Sequence, residues 1–125
     1  MTDRELLDFA KEAQLNSYAP YSKFNVGAAL LCEDGTVYKG SNIENSSFSA
    51  TVCAERTAIF KAVSDGHKKF VAMAIYGEKN PCLPCGVCRQ VAAEFCGDNF
   101  KIITVKNGEI ITHILGELLP EKFNL

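Results

Sequence analysis

Two dipeptides, Asp34-Gly35 and Asn107-Gly108, each stand between short apolar runs, and both pairs tolerate the backbone angles that a tight hairpin demands. The stretches 25–40 (NVGAALLCEDGTVYKG) and 100–114 (FKIITVKNGEIITHI) therefore read as strand–turn–strand units. Before the first, residues 3–17 set Leu6, Leu7, Ala10, Ala13 and Leu15 on one stripe with charges opposite, the spacing of an amphipathic helix. Between the hairpins, VCAERTAIFKAV (52–63) is helical by composition and spacing. KFVAMAIYG (69–77) is a continuous apolar run suited to a strand covered on both faces. After a loop at 78–84, CGVCRQVAAEF (85–95) reads as a third helix, with Pro84 tolerated in its first turn. The order is helix, strand, strand, helix, strand, helix, strand, strand. With no repeat, linker or low-complexity tract, residues 1–125 are expected to form a single α/β domain of three layers.

A chain of 125 residues fits one domain, and with 47% hydrophobic residues it can hold a core without covalent staples. Its formal charge of -2 comes with no window of clustered lysine and arginine, which argues against long nucleic acids as partners. No stretch approaches a membrane span, and MTDRELLDFA is too acidic and helical for a signal peptide. The expectation is a cytoplasmic protein, a setting in which clustered cysteines are better read as metal ligands or reactive thiols than as disulfides.

Six cysteines occur, three of them inside PCLPCGVC (81–88). Cys85 and Cys88 stand at i and i+3 in the first turn of the third helix, so their side chains share a face. Cys82 precedes Pro84 and belongs to the loop. Cys53 opens the second helix, so a convergence of two helix starts would bring three sulfurs together where free amides and the positive dipole end favour thiolate. Structural zinc sites close their tetrahedron with protein, whereas catalytic ones leave a vertex for water. Three cysteines without an obvious fourth ligand therefore suit the catalytic kind. Glu55, two positions after Cys53, can take a proton from water at such a vertex and return it to a substrate. A cysteine-ligated zinc with a non-ligand glutamate is the zinc-deaminase arrangement.

Cys53-Ala54-Glu55-Arg56, followed by Pro84-Cys85-Gly86-Val87-Cys88-Arg89-Gln90, resembles the free-nucleoside cytidine deaminases, specifically their short homotetrameric branch. APYSKFNVGAAL (19–30), SNIEN (41–45) and ELLPEKF (117–123) extend the likeness over nearly the whole chain. Relatives acting on bases and nucleotides usually carry histidine where this chain has Cys53. The resemblance implies a cytidine-deaminase-like α-β-α fold with a mixed five-stranded sheet and helices on both faces. It further implies a Zn²⁺ cofactor on Cys53, Cys85 and Cys88, a place in pyrimidine salvage, and conversion of cytidine, with 2′-deoxycytidine, to the uridine and ammonia. In that reaction water attacks the ring carbon bearing the amino group, and Glu55 moves its proton to the ring and then to the departing amine.

The same resemblance makes Arg56 a hydrogen-bond donor to ligand sulfurs, withdrawing charge from a three-thiolate site. It assigns Asn42 and Glu44 to the sugar hydroxyls, Phe24 to stacking on sugar or base, and the Ala54 backbone and Glu55 side chain to the pyrimidine edge. Phe123 is the terminal aromatic expected to reach a neighbouring subunit's pocket, so that active sites are shared in a homotetramer. Phe48 stands where tyrosine is common, which removes one polar contact near the sugar or the subunit boundary.

Plainer readings stand beside these. Phe24 is by default a core residue, Asn42 a strand end, Glu44 and Glu55 surface charges, and Phe123 a residue packed on its own subunit. Cys32 and Cys96 read as small core residues, Cys82 as a loop thiol rather than a neighbour of the metal, and His67 and His113 as structural. Rival functions are a deaminase of another cytosine compound such as a nucleoside antibiotic, a zinc-stabilised interaction module, and a thiol–disulfide exchanger built on Cys85-Gly86-Val87-Cys88. The module has no need of Glu55.

Overall fold

A reciprocal cap starts the chain: the Thr2 hydroxyl accepts from the Glu5 amide, and the Glu5 carboxylate accepts from the Thr2 amide. The helix it opens, α1 (Asp3–Gln14), buries Leu6, Leu7, Ala10 and Ala13. Leu15, expected on the same stripe, is instead the C-cap residue and is exposed, because the helix stops one residue short of it. The computed structural model describes residues 1–125.

Five strands follow: β1 (Val26–Cys32), β2 (Val37–Ser41), β3 (Phe70–Gly77), β4 (Lys101–Lys106) and β5 (Glu109–Ile114). They lie in the order β2-β1-β3-β4-β5. Every neighbouring pair is antiparallel except β3 and β4, which run parallel and are joined through α3 (Gly86–Phe95). The sheet is thus mixed and five-stranded, as the resemblance implied. The apolar run of β3 lies at its centre, with Ala72 to Ile75 fully buried.

The pleat divides the core in two. Ala28, Leu30, Met73, Ile75 and Ile102 point to one face, where Ala58, Ile59 and Ala62 of α2 (Ala54–Ser64) and Ala92 of α3 pack on them. Ala29, Ala72, Ala74, Ile103 and Val105 point to the other and meet Leu6, Leu7 and Ala10 of α1. Two apolar faces leave no side of the sheet to water, so helices cover both. The small side chains of β1 let those helices approach closely. At Gly40 in β2 a β-carbon would stand 2.4 Å from the Ala54 carbonyl oxygen, so only glycine lets the start of α2 settle there.

The two hairpins differ. Asn107 and Gly108 both adopt positive φ, 53° and 80°, and connect Lys106 directly to Glu109 in a two-residue turn. Around Asp34-Gly35 the connection is longer and only Gly35 is left-handed; the Asp34 carboxylate accepts from the Thr36 amide at 3.0 Å and closes the turn locally. Two short elements carry no periodicity and escaped the sequence reading: a 3₁₀ turn at Phe48–Ala50 and α4 (Leu115–Leu118). No helix is long and apolar enough to cross a membrane.

Candidate metal centre and substrate cavity

Cys53 is the N-cap residue of α2 and Cys85 that of α3, each with a side chain free of any capping bond. The third helix begins at Gly86, so Pro84 lies just before the cap rather than in the first turn. Cys88 sits one turn inside α3 and is buried, Cys53 is half-buried and Cys85 exposed. The three sulfurs lie within 4.8 Å of one another, and the Cys53 and Cys85 Sγ atoms are 3.8 Å apart. Tetrahedral zinc, with Zn–S distances of about 2.3 Å, sets neighbouring sulfurs roughly 3.8 Å apart. The donor set therefore fits Zn²⁺, and no further histidine, cysteine or carboxylate joins the cluster.

The Cys53 thiol is pulled down, chiefly by a hydrogen bond from Cys88, with Arg56 and Cys85 adding to the effect. Cys88, the donor of that bond and a buried thiol, is pushed up. Arg56 donates from Nη2 to Cys53 Sγ at 3.4 Å. Glu55, in the first turn of α2, is only 5% exposed, which excludes the surface-charge reading. Burial pushes its carboxyl up to about 7, opposed by its own backbone N–H and reinforced by the charge on Cys53.

A cavity of about 350 Å³ opens over the thiols, within the range of small-ligand pockets. Phe24, Asn42, Glu44, Ala54 and Glu55 all line it, together with Cys53 and Cys85. Two larger hollows, about 510 Å³ beside Asp34 and His67 and about 630 Å³ between Tyr38 and Phe60, contain none of the clustered thiols. Chemistry and not size selects the smaller one. Phe24 is 37% exposed and so is not a core residue. The Asn42 amide donates to the Phe24 carbonyl at 2.7 Å and accepts from the Val26 amide at 2.9 Å and from the Ser17 hydroxyl. Glu44 accepts from the backbone amides of Tyr21 and Ser22 at 2.9 and 3.1 Å and from the Ser22 hydroxyl. These donors, the Ser22 hydroxyl first, hold its carboxyl below the usual range.

Phe123 is not among these residues. It is 67% exposed near the C-terminus, and its backbone carbonyl accepts from Gln90 Nε2 at 3.0 Å. Cys82 corrects an expectation: it does lie in the loop before α3, but its thiol lines the same cavity, and burial pushes it up to about 11. Cys32 is buried and Cys96 is packed half-buried against the core, as expected. His67 is structural, bridging the Tyr38 hydroxyl and the Asp34 carboxylate at 3.0 Å each. Residues 1–104 match the model of the family described as the cytidine and deoxycytidylate deaminase zinc-binding region.

The chain belongs to this deaminase family. A cytidine deaminase from Sporosarcina psychrophila is 51% identical over 99% of this chain and 93% of its own length. One from Halalkalibacterium halodurans is 48% identical over 97% and 94%. The crystal structure of cytidine deaminase from Burkholderia pseudomallei, 43% identical, superposes with a TM-score of 0.93 over 98% of this chain and all of that one. The zinc of the deaminase family meets here a cluster of three thiols placed to bind it.

Two residues quoted within motifs but given no role prove structural to the site. Arg89 donates from Nε to the Pro84 carbonyl and from Nη1 to the Leu118 carbonyl, both at 2.8 Å, and so fastens the loop that delivers Cys85. Ser22 bonds both Glu44 and the Phe24 amide. Nothing local marks either role, since the partners that tie them into the site, Leu118 for Arg89 and Glu44 for Ser22, lie 29 and 22 positions away.

Proposed function

We propose that this zinc-dependent hydrolytic deaminase acts on the free nucleosides cytidine and 2′-deoxycytidine, releasing ammonia and the matching uridine. The observation that carries the reading is the meeting of a three-thiol cluster and a buried glutamate with two hydrogen-bonding side chains, Asn42 and Glu44, around one cavity. A free nucleoside is favoured over its monophosphate because the cavity wall holds two carboxylates and several thiols but no lysine, arginine or histidine. A phosphate would meet like charge there without a counter-ion.

Cys53, Cys85 and Cys88 would hold the metal, which when bound supplies Lewis acidity that makes water nucleophilic near neutral pH. Glu55 takes the proton of the attacking water, hands it to the ring nitrogen beside C4, and assists the amine to leave as ammonia. A carboxyl poised near neutrality suits both directions of transfer. Arg56 offsets thiolate charge at Cys53.

Valence limits what the sugar side can recognise. Three donors occupy Glu44, leaving about one lone-pair direction, and Asn42 has both Oδ1 lone pairs taken and one N–H free. One donor and one acceptor are together satisfied by a single hydroxyl, which ribose and 2′-deoxyribose both offer. Phe24 presents an aromatic face beside them, and the Ala54 backbone lies against the pyrimidine.

All 125 residues serve as one domain, in a cytoplasmic enzyme of pyrimidine salvage that assembles as a homotetramer. Exposed Tyr18, Tyr21, Ile43, Phe48 and Phe60 support assembly, as does the solvent exposure of Phe123 away from its own chain's cavity. Ammonia release from cytidine that disappears with a chelator and returns with Zn²⁺, at one zinc per chain, is the expected result. Purified, zinc-loaded protein that releases none from either nucleoside would refute the reading.

A further inference from the structure

Phe24 reaches the cavity at the end of a short strap, residues 18–25, that crosses from α1 to β1. The strap is joined to the segment after β2 through paired backbone bonds, Tyr18 N–H to Asn42 O at 3.0 Å and Glu44 N–H to Tyr18 O at 2.8 Å. Both backbone polar groups of Phe24 are taken by side chains. Its carbonyl accepts from Asn42, and its N–H donates to Ser22 Oγ at 3.0 Å. The Ser22 hydroxyl in turn donates to Glu44 Oε2, while the Ser22 amide holds Oε1. One hydroxyl thus joins the carboxylate and the aromatic that line the cavity.

Lys23, between Ser22 and Phe24, adopts φ 61°, a left-handed conformation unfavourable for a lysine. Such a backbone persists only where surrounding bonds hold it. Here the Lys23 N–H itself donates to the Ala19 carbonyl at 3.0 Å, and the bonds that follow at Phe24 are those of Ser22 and Asn42. Without the hydroxyl, Glu44 keeps backbone donors on Oε1 alone and its Oε2 loses its anchor, while the Phe24 amide loses its acceptor.

We propose that Ser22 is a positioning residue for the nucleoside: its hydroxyl, donating to Glu44 and accepting from Phe24, presents carboxylate and ring to the sugar as one unit. The proposal rests on the functional reading above, in which Glu44 and Phe24 face the sugar. Because it acts on binding and lies apart from Glu55 and the thiols, its loss is read mainly in KM.

Ser22→Ala, prepared with full zinc, is expected to raise KM for cytidine about tenfold to a hundredfold, the equivalent of one hydrogen bond to a charged group, with kcat falling less than threefold. Inhibition by uridine weakens in parallel, and inhibition by uracil, which has no sugar, does not. Ser22→Thr keeps the hydroxyl at an exposed position and restores KM to within about threefold. If the alanine variant fails to fold, Ser22→Val takes its place, since it has the shape of threonine without the hydroxyl. A KM within twofold of the parent, equal weakening of uridine and uracil, or valine matching threonine would overturn the proposal. A parent enzyme inert towards cytidine would sink the functional reading instead, whereas an active parent with indifferent Ser22 variants sinks this inference alone.

Discussion

Replacing Gly40 by alanine tests how the sheet holds the site. The added β-carbon would stand 2.4 Å from the Ala54 carbonyl oxygen and 2.5 Å from the Ala58 amide nitrogen, both backbone atoms of α2. Because β-carbon contacts under 3.0 Å are essentially never seen and no flexible side chain can yield, α2 must withdraw by at least about 0.6 Å. That helix carries Cys53 at its cap and Glu55 in its first turn, while Cys85 and Cys88 stay with α3. Its withdrawal opens the thiol triangle and moves the carboxyl from its partners. Overpacking of this kind costs about 1–3 kcal/mol, or roughly 4–12 °C in Tm for a chain of this length. A displacement approaching 1 Å at the reacting centre costs up to about 10²-fold in kcat/KM. Gly27→Ala supplies the contrast, because its β-carbon would meet the Ala10 carbonyl oxygen at 2.0 Å and displace α1 on the opposite face. Thermal melts, zinc content and kcat/KM for cytidine, measured on folded protein, are expected to separate the two. Both lose stability, but only Gly40→Ala also loses zinc and one to two orders of magnitude of activity. A Gly40→Ala enzyme with parental zinc and kcat/KM, or a Gly27→Ala enzyme equally impaired, would refute the reasoning.

Glu55→Gln should retain zinc and lower kcat by about 10²–10⁴, and near-parental turnover removes Glu55 from proton transfer. In metal-free protein the same change should stabilise at alkaline pH. A carboxyl raised from 4.5 to about 7 carries no penalty below pH 4.5, and the cost grows to about 3 kcal/mol above pH 7. Melts at pH 8 should therefore favour the glutamine protein and melts at pH 5 much less so; equal differences at both would contradict the assignment. Arg56→Ala should weaken zinc retention against a chelator or shift the pH profile of kcat, and unchanged values for both would discard its role at Cys53. Truncation after Pro120 removes Phe123 and should lower kcat/KM. Full activity together with an unaltered mass by light scattering would argue against a borrowed aromatic.

Much of the architecture is legible because its signals are local. The α1 stripe, the apolar β3 run and the two glycine turns are each decided within about fifteen residues, and each has its counterpart in the fold, although the Asp34-Gly35 connection is longer than a two-residue turn. Two positions depart from what local spacing predicts. Leu15 shares the apolar stripe by spacing, yet it falls on the C-cap beyond the last buried position. Cys82 looks separated from the metal by Pro84, but in the fold it lines the same cavity as Cys53 and Cys85.

By itself the sequence determines the chemical alphabet of the site: two cysteines one helical turn apart, a third beside a glutamate and an arginine, and a motif shared with a known deaminase family. Helical periodicity suffices for that, since neighbours at i and i+3 meet whatever the rest of the chain does. Only the tertiary structure brings Cys53 to Cys85 across 32 positions, wraps the Ser22 strap onto Glu44, and turns a solvent-type glutamate into a buried acid. Those outcomes depend on helices docked against one sheet, and docking is decided by packing between distant segments, which no local pattern encodes.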